Sequence, residues 1–227
     1  MEHNYADLPT VADPSAVRSS DEPVGEIARQ IETNRCWMVL KNIERDPEYK
    51  ALLDETLDEV APLVDDRDGG MLERRGFVFL SAPGSVTPSH TDPEHNLLLQ
   101  VRGTKDMNVG RFPDKTTEQL ALEHALGGGH RNVDWEPEEP RTFALKPGGG
   151  VYVPQHAPHW VKNGQSVSVS LSITFQTATN ERVMRVHSMN AKLRRVGISP
   201  RPPGQSPSAD RRKAACVKAL GRIRRLV

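Results

Sequence analysis

His90 and Asp92 stand two residues apart in the stretch VTPSHTDPEHNLLLQVRGTK, residues 86–105. On an extended segment the side chains at i and i+2 leave the same face, so one strand can present an imidazole and a carboxylate to one metal ion. One carboxylate and two neutral imidazoles on one side of a metal leave neighbouring positions open, the arrangement of non-haem Fe(II) oxygenases. The second imidazole has two candidates in PGGGVYVPQHAPHW, residues 147–160: His156, between two prolines in a turn, and His159, at the start of a strand-like run. A His-x-Asp triplet also occurs in solvated loops, so the surrounding residues carry the rest of the reading.

Those surroundings form a long ungapped register. Thr87, Pro88, His90, Asp92, Asn96, Gln100, Arg102, Gly103 and Lys105 follow the pattern TPxHxD, then N, then Qx(K/R)GxK. On these residues the segment 75–176 resembles the Jumonji-C branch of the Fe(II)- and 2-oxoglutarate-dependent oxygenases, and within it the asparaginyl hydroxylases that act on hypoxia-inducible factor. The resemblance implies that His90, Asp92 and His159 hold Fe(II), with His156 outside the ligand set. It also implies that Lys105 binds the distal carboxylate of 2-oxoglutarate, that Thr87 adds a hydrogen bond to it, and that Asn96 and Thr174 line the same pocket. A lysine suits that role because an ammonium on a long stem can meet a carboxylate inside a barrel where the two charges pair. The implied reaction consumes O2 and 2-oxoglutarate and gives succinate and CO2. It hydroxylates a protein, peptide or small-molecule substrate, or demethylates it when an N-methyl group is hydroxylated.

The pattern departs from the family at three places. Gly149 replaces an aspartate after Pro147 and Gly148, Ala157 and Pro158 replace an aromatic pair before His159, and Thr174 stands where the family has asparagine. The last two alter the walls of the pocket rather than the iron ligands.

Short strands around an inserted helix, with ligands on separated strands, predict a mainly β fold with flanking helices; the resemblance specifies a double-stranded β-helix, the cupin-like jelly-roll barrel. Residues 1–20 read as an irregular N-terminal arm. Asp21 and Pro23 open a helix over about 22–34, and residues 36–40 form a buried strand. A second helix starts at Asp46 and Pro47, carries Leu52, Leu53, Leu57 and Val60, and ends or kinks at Pro62 although Val64 would continue its stripe. Strands follow at 77–80, 97–101 and 107–109.

A helix over 114–126, capped near Thr116 or Thr117, is inserted between the two halves of the metal motif. The segment to Pro140 reads as a loop over the barrel mouth, which makes His130, Arg131 and Trp135 candidate substrate contacts, with His156 a fourth. The run SVSVSLSITF, residues 166–175, alternates without a break. We assign its serines and Thr174 to a polar lumen that must hold a dianion, and its apolar face to the outer helices. Beyond Thr177 the periodic signal weakens.

The 227 residues are 36% hydrophobic and 26% charged with zero net charge, a globular composition for one domain spanning 21–189. No run approaches the roughly eighteen apolar residues of a membrane span. The start of the chain lacks the basic and apolar regions of a secretory signal, and Cys36 and Cys216 are too few and too far apart for a disulfide framework. Both read as buried thiols, and the chain is assigned to a reducing cytoplasm. Residues 190–227 hold eleven Lys or Arg and one acid, leaving nineteen basic and twenty-nine acidic residues in 1–189. This tail reads as a Pro-rich linker and a basic amphipathic helix that docks on the acidic body or makes a homodimer. Nucleic acid is the less favoured partner. Two other readings of the chain are a non-catalytic cupin module with a nucleic-acid-binding tail and a cupin-type isomerase; neither explains Lys105 and Thr87.

Overall fold

The computed structural model describes residues 2–5, 9–11 and 22–223. In chain order its elements are β1 (Glu2–Tyr5), α1 (Val24–Arg29), β2 (Cys36–Lys41), α2 (Pro47–Asp68), β3 (Met71–Ser81), β4 (Val86–His90), β5 (His95–Arg102) and β6 (Lys105–Arg111). There follow α3 (Lys115–Leu126), β7 (Glu138–Leu145), β8 (Gly150–Val153), β9 (His159–Asn163), β10 (Ser168–Thr177), α4 (Ala178–Arg195) and α5 (Pro207–Ile223). The strands pair antiparallel into a six-stranded sheet, ordered β1-β2-β3-β10-β5-β8, and a four-stranded sheet, ordered β4-β9-β6-β7. Together they make the jelly roll expected of the sequence. Leu98 and Val153 of the larger sheet meet Met107, Leu145 and Val161 of the smaller one in a shared apolar core.

β10 is polar on the inside of the larger sheet and apolar on the outside. Ser168, Ser170 and Ser172 are buried on one face. Ser170 donates to Gln100 Oε1 (2.7 Å), Gln100 Nε2 donates to Ser168 Oγ (3.0 Å), and Ser172 donates to Asn96 Oδ1 (2.8 Å). These cross-strand bonds satisfy hydroxyls that would otherwise be costly to bury. On the other face Leu171, Ile173 and Phe175 pack on Leu53 and Leu57 of α2. Leu57 is fully buried there, so Leu57→Ala is expected to lower unfolding stability by about 2–5 kcal/mol through lost burial and a cavity. Urea denaturation reads this directly, and a loss below about 1 kcal/mol would contradict the packing.

Several boundaries differ from the sequence reading. Residues 2–5 are a strand paired with β2 rather than irregular chain, while Asp21 lies outside the described residues. α1 is shorter than expected because Asn34 Nδ2 donates to Ile27 O (2.9 Å) and closes its end early. In α2, Asp46 caps the amides of Glu48 and Tyr49, and the helix runs through Pro62 to Asp68. Pro62 faces solvent, where water can meet the carbonyl its missing N–H leaves unpaired. Val64 does continue the buried stripe, whereas Leu52 is exposed.

The cap of α3 is Asp114, not Thr116 or Thr117; it accepts the amides of both, at 2.7 and 3.0 Å. β7 begins at Glu138, so the connection from α3 is shorter than expected. Residues 178–195, which show little apolar period, form the long helix α4, capped by Thr177. α5 docks on α4, with Ala214 buried and Val217 half-buried. Cys216 lies on the opposite side and is exposed, and only Cys36 is a buried thiol. Among the described residues no helix is long and apolar enough to cross a membrane.

Candidate metal centre

β4 ends on His90, and β9 begins on His159, which lies opposite it in the antiparallel register. Asp92 is not on the strand. It sits in the turn between β4 and β5, whose backbone is tied elsewhere: His156 N–H donates to Asp92 O (2.7 Å) and Thr91 N–H to Arg131 O (3.1 Å). The two side chains therefore come together for a reason other than the i, i+2 alternation, since a turn and not a pleat aims the carboxylate.

Asp92 Oδ2 lies 3.6 Å from Nε2 of His90 and 3.6 Å from Nε2 of His159. Candidate ligand atoms of the three residues all fall within 4.8 Å of one another. The far side of each imidazole is fixed: His90 Nδ1 donates to Pro88 O (2.8 Å) and His159 Nδ1 to Ala157 O (2.9 Å). A carbonyl only accepts, so these bonds place a proton on Nδ1 and leave Nε2, on the side of Asp92, as the position that takes a metal or, without one, a second proton. Burial opposes the charge on Asp92, yet His90 and His159 hold its carboxyl well below the usual range. Burial likewise opposes protonation of His90, and Asp92 reverses the balance so that its affinity for a proton is raised. Such a cluster attracts positive charge to its centre.

The cluster borders a cavity of about 460 Å3 between the sheets. Thr87, Asn96, Lys105 and Thr174 line it, together with Trp37, Phe77 and Phe79. Lys105 begins β6 and is only 5% exposed. Among the described residues nothing gives its ammonium a hydrogen bond or counter-ion, and burial lowers its pKa from 10.5 to about 8. Thr174 Oγ1 is buried on the same wall without a partner among the described residues. Asn96 faces Thr174 across the β5–β10 register and already accepts from Ser172. A buried cation and an unpaired hydroxyl fit an anionic ligand, while two imidazoles and a carboxylate fit a divalent transition metal.

Of the four tentative substrate contacts only Arg131 borders the cavity, and its guanidinium is engaged by Asp92 Oδ1 at 2.7 Å. It thereby occupies one carboxylate oxygen and leaves Oδ2 to the histidines. His130 is exposed, bonded to Asn132 O and packed against His124. Trp135 packs on Phe112. His156 is buried with φ 63° and meets Asn180 Oδ1 through Nε2 at 3.2 Å, so it stands behind the Asp92 turn rather than in the cavity. Sequence reasoning missed the aromatic wall. Trp37, Val39 and Lys41 of β2, and Arg75, Phe77, Phe79 and Ser81 of β3, face the cavity at alternate positions, and that period of two was present in the sequence.

The chain resembles known proteins over the same region. It is 29% identical over 108 residues to Jumonji C domain-containing protein 5 of Drosophila melanogaster, covering 43% of this chain and 26% of that protein. Its fold is similar to that of YcfD, a ribosomal oxygenase from Escherichia coli solved with cobalt and 2-oxoglutarate, with 17% identity and a TM-score of 0.52. The match covers 96% of this chain and 54% of YcfD. A further structure of Escherichia coli YcfD superposes at a TM-score of 0.51 with 16% identity, over 96% of this chain and 56% of that one. The chain therefore spans about a quarter of the curated relative and about half of these solved structures. Residues 70–183, from the start of β3 to the first turns of α4, match the JmjC domain family, and the chain belongs to that family.

Proposed function

We propose that the chain is an Fe(II)- and 2-oxoglutarate-dependent oxygenase that hydroxylates a protein, peptide or small-molecule substrate. The observation that carries this reading is the placement of Lys105, a buried ammonium with no counter-charge among the described residues, in the cavity bordered by His90, Asp92 and His159. A cupin that only held a metal would have no use for that charge, which is costly to bury without an anion.

In this reading His90, Asp92 and His159 hold the metal, and Lys105 receives the distal carboxylate of 2-oxoglutarate. Thr87 and Thr174 donate hydroxyl hydrogen bonds to the co-substrate, and Asn96 supports that wall through Ser172. When bound, Fe(II) and 2-oxoglutarate supply oxidation of a substrate C–H bond by O2, coupled to release of succinate and CO2. The protein contributes position and shelter. Arg131 holds Asp92 Oδ1 and so presents one oxygen to the metal, the backbone carbonyls of Pro88 and Ala157 hold the imidazole tautomers, and Trp37, Phe77 and Phe79 keep water from the approach to the metal. The membership in the JmjC domain family supports the same reading.

Incubating the protein with Fe(II), 2-oxoglutarate, O2 and a panel of peptides and metabolites tests it by mass spectrometry of the products. Gain of one oxygen atom by a substrate, matched by succinate, is the expected result. Loss of a methylene equivalent with formaldehyde would assign demethylation instead.

A further inference from the structure

We propose that Asn180 is a positioning residue for the metal centre, acting through the backbone of the turn that carries Asp92. This rests on the reading of His90, Asp92 and His159 as metal ligands. Asn180 lies in the first turn of α4, outside the jelly roll, and is 4% exposed. Its Nδ2 donates to Pro93 O at 3.0 Å, and its Oδ1 accepts from His156 Nε2 at 3.2 Å. His156 in turn donates its own backbone N–H to Asp92 O at 2.7 Å. One amide side chain thus grips two successive carbonyls of the ligand-bearing turn, directly at Pro93 and through His156 at Asp92.

The turn has few other anchors. Pro93 has no N–H to give, and Asp92 lies beyond the last residue of β4, so ladder bonds do not fix it. The remaining ties come from Arg131, whose guanidinium is half exposed and holds Asp92 Oδ1. Asn180 is itself fixed, because its N–H donates to the capping hydroxyl of Thr177 at 3.2 Å. α4 starts directly after β10, so the helix cap, the strand bearing Thr174 and the Asp92 turn are locked into one geometry. His156 adopts a left-handed backbone at φ 63°, a conformation uncommon for a residue with a side chain and sustained here by bonds at both its ends. Groups that orient a metal ligand from behind typically change metal affinity by about ten- to a hundredfold when removed.

The test is Co(II) titration of metal-depleted full-length protein, followed by calorimetry and by the visible Co(II) spectrum, with melting temperature recorded for each variant. Asn180→Ala is expected to weaken Co(II) binding by about ten- to a hundredfold and to alter the Co(II) spectrum, because Asp92 is no longer held at one angle. Val186→Ala, a buried change on the same helix beyond Asn180, serves as the measure of general loosening and is expected to keep the wild-type Co(II) affinity and spectrum. If Asn180→Ala does not fold, Asn180→Leu, which fills similar space without polar atoms, is read by the same criterion. Wild-type affinity and spectrum in the folded Asn180 variant would overturn the inference, and so would an equal loss in Val186→Ala. A wild-type protein that binds no Co(II) would instead overturn the metal-centre reading beneath it.

Discussion

Asp92→Ala and His159→Ala are each expected to lower Co(II) or Fe(II) affinity by more than about a hundredfold, beyond the ten- to hundredfold typical of supporting residues. Asp92 supplies the only carboxylate of the three-residue cluster, and its loss leaves two imidazoles and an unpaired Arg131 facing the centre. His159 lies opposite His90 in the β4–β9 register, so its removal opens one whole side of the set. Metal titration of the folded variants checks both, with His156→Ala as the comparison. His156 lies behind the turn, and its ring bond to Asn180 is worth less than a ligand, so that variant should retain measurable binding. Full affinity in His159→Ala with complete loss in His156→Ala would reassign the ligand.

Lys105→Met should leave metal binding intact, weaken 2-oxoglutarate binding by roughly a hundredfold or more, and stabilise the metal-free fold. The loss of 2-oxoglutarate affinity follows from breaking a buried ion pair, about 3–5 kcal/mol. The effect on the metal-free fold has the opposite sign. The folded pKa of Lys105 is about 8 against an ordinary 10.5, so the unfolded chain holds the extra proton between those values and stability rises with pH across that window. Below it the buried charge costs about 3 kcal/mol, which methionine removes. Binding has its own pH signature, since 2-oxoglutarate needs the protonated amine. Affinity in the wild type should fall about tenfold per pH unit above pH 8, up to the higher pKa of the complex. The methionine variant should lose that slope, and retained tight binding with an unchanged slope would remove Lys105 from the site.

How much of this was legible in the sequence depended on whether the signal was local. The alternation of residues 166–175 was unbroken, and the polar demand of the lumen turned Ser168, Ser170 and Ser172 inward, because both faces of β10 had to be buried against chemically different neighbours; Ser166 precedes the strand and is exposed. The cap of α3 was expected near Thr116 or Thr117, whereas Asp114 provides it, a small shift within one local motif. α4 was invisible for a physical reason: its buried face carries Asn180, His187 and Asn190 beside Val186 and Ala191, so no apolar stripe betrays it. That face is held by polar bonds, Asn190 to Glu123 Oε1 at 3.0 Å and Arg194 to the same carboxylate. The His90 and Asp92 pair was found through spacing, but the turn that aims Asp92 depends on Arg131, His156 and Asn180, which are distant in sequence. No single-strand periodicity could connect them.

Anaerobic titration of the Fe(II) protein with 2-oxoglutarate, followed by admission of air and assay of succinate, tests the central claim most directly. The account predicts one 2-oxoglutarate bound per chain in the wild type, succinate after air is admitted, and neither in Lys105→Met despite its retained Fe(II). Wild-type protein that binds Fe(II) yet takes up no 2-oxoglutarate, and makes no succinate with any of a broad set of peptides and metabolites, would contradict it.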